Sequence, residues 1–206
     1  DGALDLVCAP SFHDNELVIN SSWLYLNEGS NKFPKFVYKQ DDYLQNDAID
    51  LGKYSAPAFF DFDNDGDKDL FVAACSEYEK GKHNEAFYKI TLFENIGDTK
   101  KAVFKKVNSD FLNLSSKKLL FFNISFGDAD NDGTTDLLLG TRTGKIVLYS
   151  NKSVDGRAEF VLKSDSFMSI NVSGEATPFV YDVNNDGKND LVIGNLEGSL
   201  EYYRWT

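Results

Sequence analysis

Apolar residues along this chain come in short runs broken by acidic, Asn- and Gly-rich stretches, and they never hold a helical spacing for long. Three windows align without a gap: Ala56–Ala73, Asn123–Gly140 and Thr177–Gly194. In each, an apolar stretch runs into an acidic loop and a second one leaves it, as Leu70-Phe-Val-Ala73, Leu137-Leu-Leu-Gly140 and Leu191-Val-Ile-Gly194. A cut-off fourth copy opens the chain as Asp1-Gly-Ala-Leu-Asp-Leu-Val-Cys-Ala9. A further apolar segment follows in every unit: Trp23–Asn27, Thr91–Asn95, Ile146–Asn151 and Leu200–Trp205. Turn residues such as Asn27-Glu-Gly29 and Asn95-Ile-Gly97 come next, then a last segment with an aromatic at Phe36, Phe104 or Phe160. Aromatic and β-branched runs bounded by such turns predict strands.

Each unit therefore holds four short strands in roughly 55–65 residues, the content of one propeller blade. The fold class expected is all-β, with β-propeller blades built from four-stranded antiparallel sheets. The approximate units are 1–52, 53–120, 121–174 and 175–206, the first and last incomplete, within one partial propeller domain. Three to three and a half blades do not close a ring, so further blades are expected from additional sequence or from other chains.

The loops read Asp-x-Asp/Asn-x-Asp-Gly-x-x-Asp, which suits a hard cation. Calcium takes six to eight oxygen ligands, and alternate side chains of a tight loop can point inward. The side-chain ligands expected are Asp61, Asp63, Asp65 and Asp69, then Asp128, Asp130, Asp132 and Asp136, then Asp182, Asn184, Asp186 and Asp190. Asp67, Thr134 and Lys188 are expected to add backbone carbonyls, and the truncated loop keeps Asp1 and Asp5. The sharp turn falls on Gly66, Gly133 and Gly187. An EF-hand needs an acid at position 12 and flanking helices, whereas Val72, Leu139 and Ile193 stand there between strand-like runs. Magnesium retains its waters and rarely fills an all-protein carboxylate cage. Three complete Ca²⁺ sites and a truncated fourth are the expectation, with Asn184 weakening the third.

Net charge is −12, and 14 of the 33 acids lie in these four loops. Such a chain is not expected to bind nucleic acid or an anionic membrane. No run reaches the roughly 18 apolar residues of a membrane span. The sequence opens inside a motif, so any targeting segment is expected to lie outside it. Two cysteines make no disulfide framework. Cys8 reads as a core thiol in an apolar run. Cys75 reads as a loop residue, able to pair with Cys8 only if neighbouring blades bring the two together.

These units resemble FG-GAP repeats, also called VCBS repeats, of the integrin α-subunit propeller type. Phe126-Gly127 before the second loop matches the name, and Ile49–Asp61 is similar to the lead-in of bacterial and protist members. The units depart from the pattern where Ala9 and Ala73 replace the glycine seen at Gly140 and Gly194, and in their longer connections. The resemblance implies a propeller of about seven blades with calcium in the loop joining blade strands 1 and 2. Family members include adhesion receptors, secreted bacterial surface proteins, toxin components and some polysaccharide-degrading enzymes.

On these grounds the chain is expected to be an extracellular, secreted or cell-surface adhesion or assembly module that binds a protein or a glycan. The ligand face is placed on the long connections 10–22 and 76–89, with His13, Trp23, Tyr78, His83, Phe87 and Tyr88 as exposed candidates. No nucleophile elbow, phosphate loop or His/Cys metal spacing is present, so an enzyme is not expected. A polysaccharide lyase or hydrolase on the same scaffold is the alternative, because paired carboxylates from scattered loops leave no motif. A structural spacer in a surface filament is a third reading. Sequons at Asn20, Asn113, Asn123, Asn151 and Asn171 fit a glycoprotein of the secretory route.

Overall fold

The computed structural model describes residues 2–8, 23–41, 43, 51–76, 87–153 and 156–205, with Ser76 and Phe122 described in backbone only. Two compact units are present, Asp1–Asp50 and Leu51–Thr206. The first holds an antiparallel sheet of β1 (Leu6–Cys8), β2 (Trp23–Asn27) and β3 (Phe36–Gln40). The second holds three sheets. One runs β4 (Lys53–Phe60), β5 (Asp69–Ser76), β6 (Phe87–Asn95), β7 (Phe104–Asn108). The next runs β8 (Phe121–Gly127), β9 (Asp136–Thr141), β10 (Ile146–Asn151), β11 (Phe160–Ser164). The last runs β12 (Thr177–Tyr181), β13 (Asp190–Gly194), β14 (Leu200–Tyr203). Every pairing is between chain neighbours and antiparallel, the meander of a propeller blade.

The strand order explains the sequence pattern. β9 and β10 are buried at every position, so the run Leu137-Leu-Leu-Gly140 does not alternate. β7, outermost in its sheet, is exposed throughout and carries Lys105 and Lys106, which discourage pairing with another edge.

Two cores fill the second unit. The seam between the β4–β7 and β8–β11 sheets is aromatic, with Phe62, Phe71, Phe111, Phe121 and Phe160. Phe60 stacks on Phe126 with ring centroids 4.9 Å apart, and Phe71 meets Phe126 edge-on at the same separation. Offset and edge-to-face pairs of this kind add to plain area burial. The seam between the β8–β11 and β12–β14 sheets is mainly aliphatic, with Leu138, Ile146, Leu148, Leu191 and Ile193. On β12, Phe179 and Tyr181 stay more than half exposed.

Two expectations change here. Cys75 is not in a loop: β5 runs on to Ser76, and Cys75 is a buried residue of the aromatic core. Both cysteines are free. The connection expected over 76–89 is also shorter, because Ser76 ends β5 while Phe87, Tyr88 and Lys89 begin β6. Tyr88 is 6% exposed and packs on Phe121, so it is a core residue and not a surface anchor. Residues that look like a loose connection become strand because each gains a ladder partner, Cys75 with Tyr88 and Ser76 with Phe87. Among the described residues no helix is long and apolar enough to cross a membrane.

Candidate metal loops

The acidic loops join β4 to β5, β8 to β9 and β12 to β13, strands 1 and 2 of each blade. The first acid folds each loop. Asp61 accepts from the backbone N–H of Asp65 and Gly66 at 3.2 and 3.1 Å. Asp128 does so with Asp132 and Gly133, and Asp182 with Asp186 and Gly187. The chain closes this tightly because Asn64, Asn131 and Asn185 take φ near 60°, followed two residues later by a positive-φ glycine. Asn is the side chain that best tolerates that left-handed geometry.

The last acid of the loop is a clamp. Asp69 accepts from the N–H of Phe62 at 2.9 Å and of Asn95, the end of strand 3, at 2.8 Å. Asp136 holds Ala129 and Asn151 in the same way, and Asp190 holds Val183 and Trp205. Asp5 takes the N–H of Asn27. This position therefore ties loop, strand 2 and strand 3 together before any ion is considered.

The structure brings Asp61, Asp63 and Asp69 together, each offering an oxygen within 4.8 Å of the others, and likewise Asp128, Asp130 and Asp136. Asp65, Asp132 and Asp186 instead accept from the N–H two residues on. The test of fit for a cation is Asp63: its Oδ1 is buried in the first cluster with no hydrogen-bond partner. A buried carboxylate oxygen beside two other carboxylates is costly unless a positive charge meets it. Burial, then Asp69 and Asp65, push the Asp63 carboxyl above its ordinary range. Burial does the same to Asp136. Asp67 is 8% exposed, its Oδ1 also has no partner, and its carboxyl is raised by burial and then by Asp65.

Basic groups sit at all three loops. Arg157 reaches Glu94 at 3.0 Å and Asp63 at 3.9 Å. Lys163 bonds Asp130, and Arg204 bonds Asp186 at 2.9 Å. The third loop differs from the other two. Asn184 donates its amide N–H to Asp190, and Tyr202 donates to the same oxygen at 2.8 Å. Neutral donors there occupy oxygens that a cation would otherwise share. Asp1 lies outside the described residues, as do His13, Tyr78, His83, Asn20 and most of both long connections.

Sequence reading missed a second set of residues. Asn27, Asn95 and Asn151 each accept two backbone N–H bonds across the turn between strands 3 and 4, Asn95 from Gly97 and Val103 at 3.1 and 2.9 Å. The signal was there, an Asn ending strand 3 in three of four units. Asn151 is buried by this role, so its sequon is not presented, whereas Asn113 and Asn171 are exposed.

Residues 1–72 and 61–139 match the FG-GAP-like repeat. The chain belongs to the FG-GAP-like repeat family. Each matched stretch runs from one acidic loop through the next and into the strand that follows it, so it takes in strands of two successive sheets. None of the curated proteins matches the chain. The FG-GAP-like units thus carry loops able to hold a metal, most plainly at Asp61/Asp63/Asp69 and Asp128/Asp130/Asp136.

Proposed function

We propose that this chain is a calcium-stabilised part of an extracellular propeller that binds a protein or glycan partner and is not an enzyme. The observation that carries the reading is the unpartnered, buried Asp63 oxygen within a three-carboxylate cluster on a blade hairpin. Asp61, Asp63, Asp65 and Asp69 would hold the ion with the carbonyl of Asp67. Asp128, Asp130, Asp132, Asp136 and the Thr134 carbonyl would serve the second loop. Asp182, Asn184, Asp186, Asp190 and the Lys188 carbonyl would serve the third, once the Asn184 amide turns its oxygen inward. A bound calcium would supply the partner that the buried Asp63 oxygen lacks. The acids then link strand 1 to strand 2, and the clamp at Asp69 or Asp136 passes that restraint to strand 3.

Millimolar extracellular calcium suits sites of this kind. Phe179 and Tyr181 stand where Ala58 and Phe60 are covered by the following sheet, which supports further blades in the whole protein. The binding role rests on the family's general character and on the absence of a catalytic motif in the sequence.

Thermal unfolding in excess Ca²⁺, in Mg²⁺ and in EDTA tests the calcium reading. An ion at a hundred times its Kd adds about 2.7 kcal/mol. A chain of this size gains about 2–4 °C per kcal/mol. Two filled sites should therefore raise Tm by about 10 °C or more over EDTA, with little from Mg²⁺. Equal melting in all three defeats it. A glycan array probed with and without calcium tests the binding role, and cleavage of an arrayed polysaccharide would replace it with a catalytic one.

A further inference from the structure

Adjacent acidic loops meet differently at the two seams of the second unit. Asn131, fourth in its loop between Asp130 and Asp132, reaches across to the third loop. Its Oδ1 accepts the N–H of Asn189 at 2.7 Å, and its Nδ2 donates to the Asn189 carbonyl at 3.1 Å. Asn189 reaches back, donating from Nδ2 to the carbonyl of Asp128 at 3.0 Å. Three hydrogen bonds thus join residues that lie between metal-ligand positions on both sides: Asn131 between two acids, Asn189 between Lys188 and Asp190.

At the other seam the same positions are Asn64 and Thr135. Neither side chain has a hydrogen-bond partner among the described residues, and both face a cavity of about 270 Å³ that Phe60 and Asp61 also line. The seam chemistry accounts for this. Phe60 stands where Gly127 stands in the next blade, and a Cβ on Gly127 would lie 2.5 Å from Val180. The glycine lets the blades approach and the loops bond, while the phenylalanine leaves a gap.

We propose that the second and third loops take up calcium as a coupled pair through Asn131 and Asn189, while the first loop fills independently. This rests on the calcium reading above. An ion at the second loop fixes Asp128 and Asp130, hence Asn131, hence the peptide on which Lys188 and Asp190 present their oxygens. The third loop then has less ordering left to do, which is positive coupling, and the effect is reciprocal.

Gly66, Gly133 and Gly187 each bond the first acid of their own loop, so their amide resonances report the three loops separately. Calcium titration of the intact chain by NMR should show Gly133 and Gly187 moving in one steep transition and Gly66 in its own. Asn131→Gly removes both bonds that the Asn131 side chain makes to the Asn189 backbone, without straining the positive φ. It should separate Gly133 from Gly187 and move both midpoints to higher calcium, on the order of fivefold or more, with Gly66 unmoved. Asn189→Ala removes only the third bond, to the Asp128 carbonyl, and should move the same two midpoints by less. Independent midpoints for Gly133 and Gly187 in the unmodified chain overturn the proposal. So do unchanged midpoints in both variants, or Gly66 shifting with the other two. If no glycine responds to calcium, the calcium reading fails and the coupling falls with it.

Discussion

The two seams of the second unit use the same backbone positions with opposite fillings. At one, Phe60 meets Phe126 and Phe160, Phe71 meets Phe126, and Phe62 packs on Phe71 in a web of ring contacts. At the other the matching positions are Gly127, Ala129 and Leu138, packed against Val180, Leu191 and Ile193. Gly140 shows how close this second seam is, because a Cβ there would lie 1.8 Å from the Ala176 carbonyl oxygen. Ala73 occupies the equivalent place at the aromatic seam. One repeat thus builds either a wide seam propped by rings or a narrow one allowed by glycine. The spacing decides whether neighbouring acidic loops touch.

Truncation should hurt both seams, and the aromatic one more. Phe71→Ala removes a fully buried ring and should cost about 3–5 kcal/mol, read by urea denaturation. Leu138→Ala at the matching position should cost about 2–5 kcal/mol. A larger loss at Leu138 would reverse the ranking.

Alkali should weaken the aromatic seam through Tyr88. Burial, helped by the neighbouring Cys75 thiol, holds the Tyr88 hydroxyl up at about 12. The unfolded chain gives up this proton near pH 10. Between those values the unfolded state binds fewer protons than the folded one, so stability is full below pH 10 and falls as pH rises to 12. The loss should be about 2–3 kcal/mol, and Tyr88→Phe should abolish it. A loss of the same size in Tyr88→Phe would place its source elsewhere.

Adding one carbon separates the seams again. Gly140→Ala should destabilise by about 1–3 kcal/mol through overpacking. The reverse change, Ala73→Gly, should cost only about 0.5–1 kcal/mol. Thermal melts of the two variants compare them directly, and equal shifts would mean the narrow seam can relax.

A more local effect concerns the turn pins. Asn95→Ala leaves the Gly97 and Val103 amides without their acceptor in a half-buried turn and should cost about 1–2 kcal/mol. Hydrogen exchange at those two amides measures it, and no change in protection would argue that water replaces the side chain.

The repeat was legible in the chain itself. Period, turn residues and the glycine-marked acidic loops are local, and they fixed the blades, their strands and the acids Asp61, Asp63, Asp69, Asp128, Asp130 and Asp136 that gather at the loops. Local sequence also explains why Asp5, Asp69, Asp136 and Asp190 recur, but only the fold showed them clamping strand 3, because that contact joins residues far apart in the chain. Cys75 and Tyr88 read as connection and proved to be strand, since their environment is set by the sheet facing them. The Asn131–Asn189 bridge and its absence at Asn64 and Thr135 were decided by tertiary structure alone. They depend on the distance between two blades, and that distance follows from whether Phe60 or Gly127 fills the space between sheets.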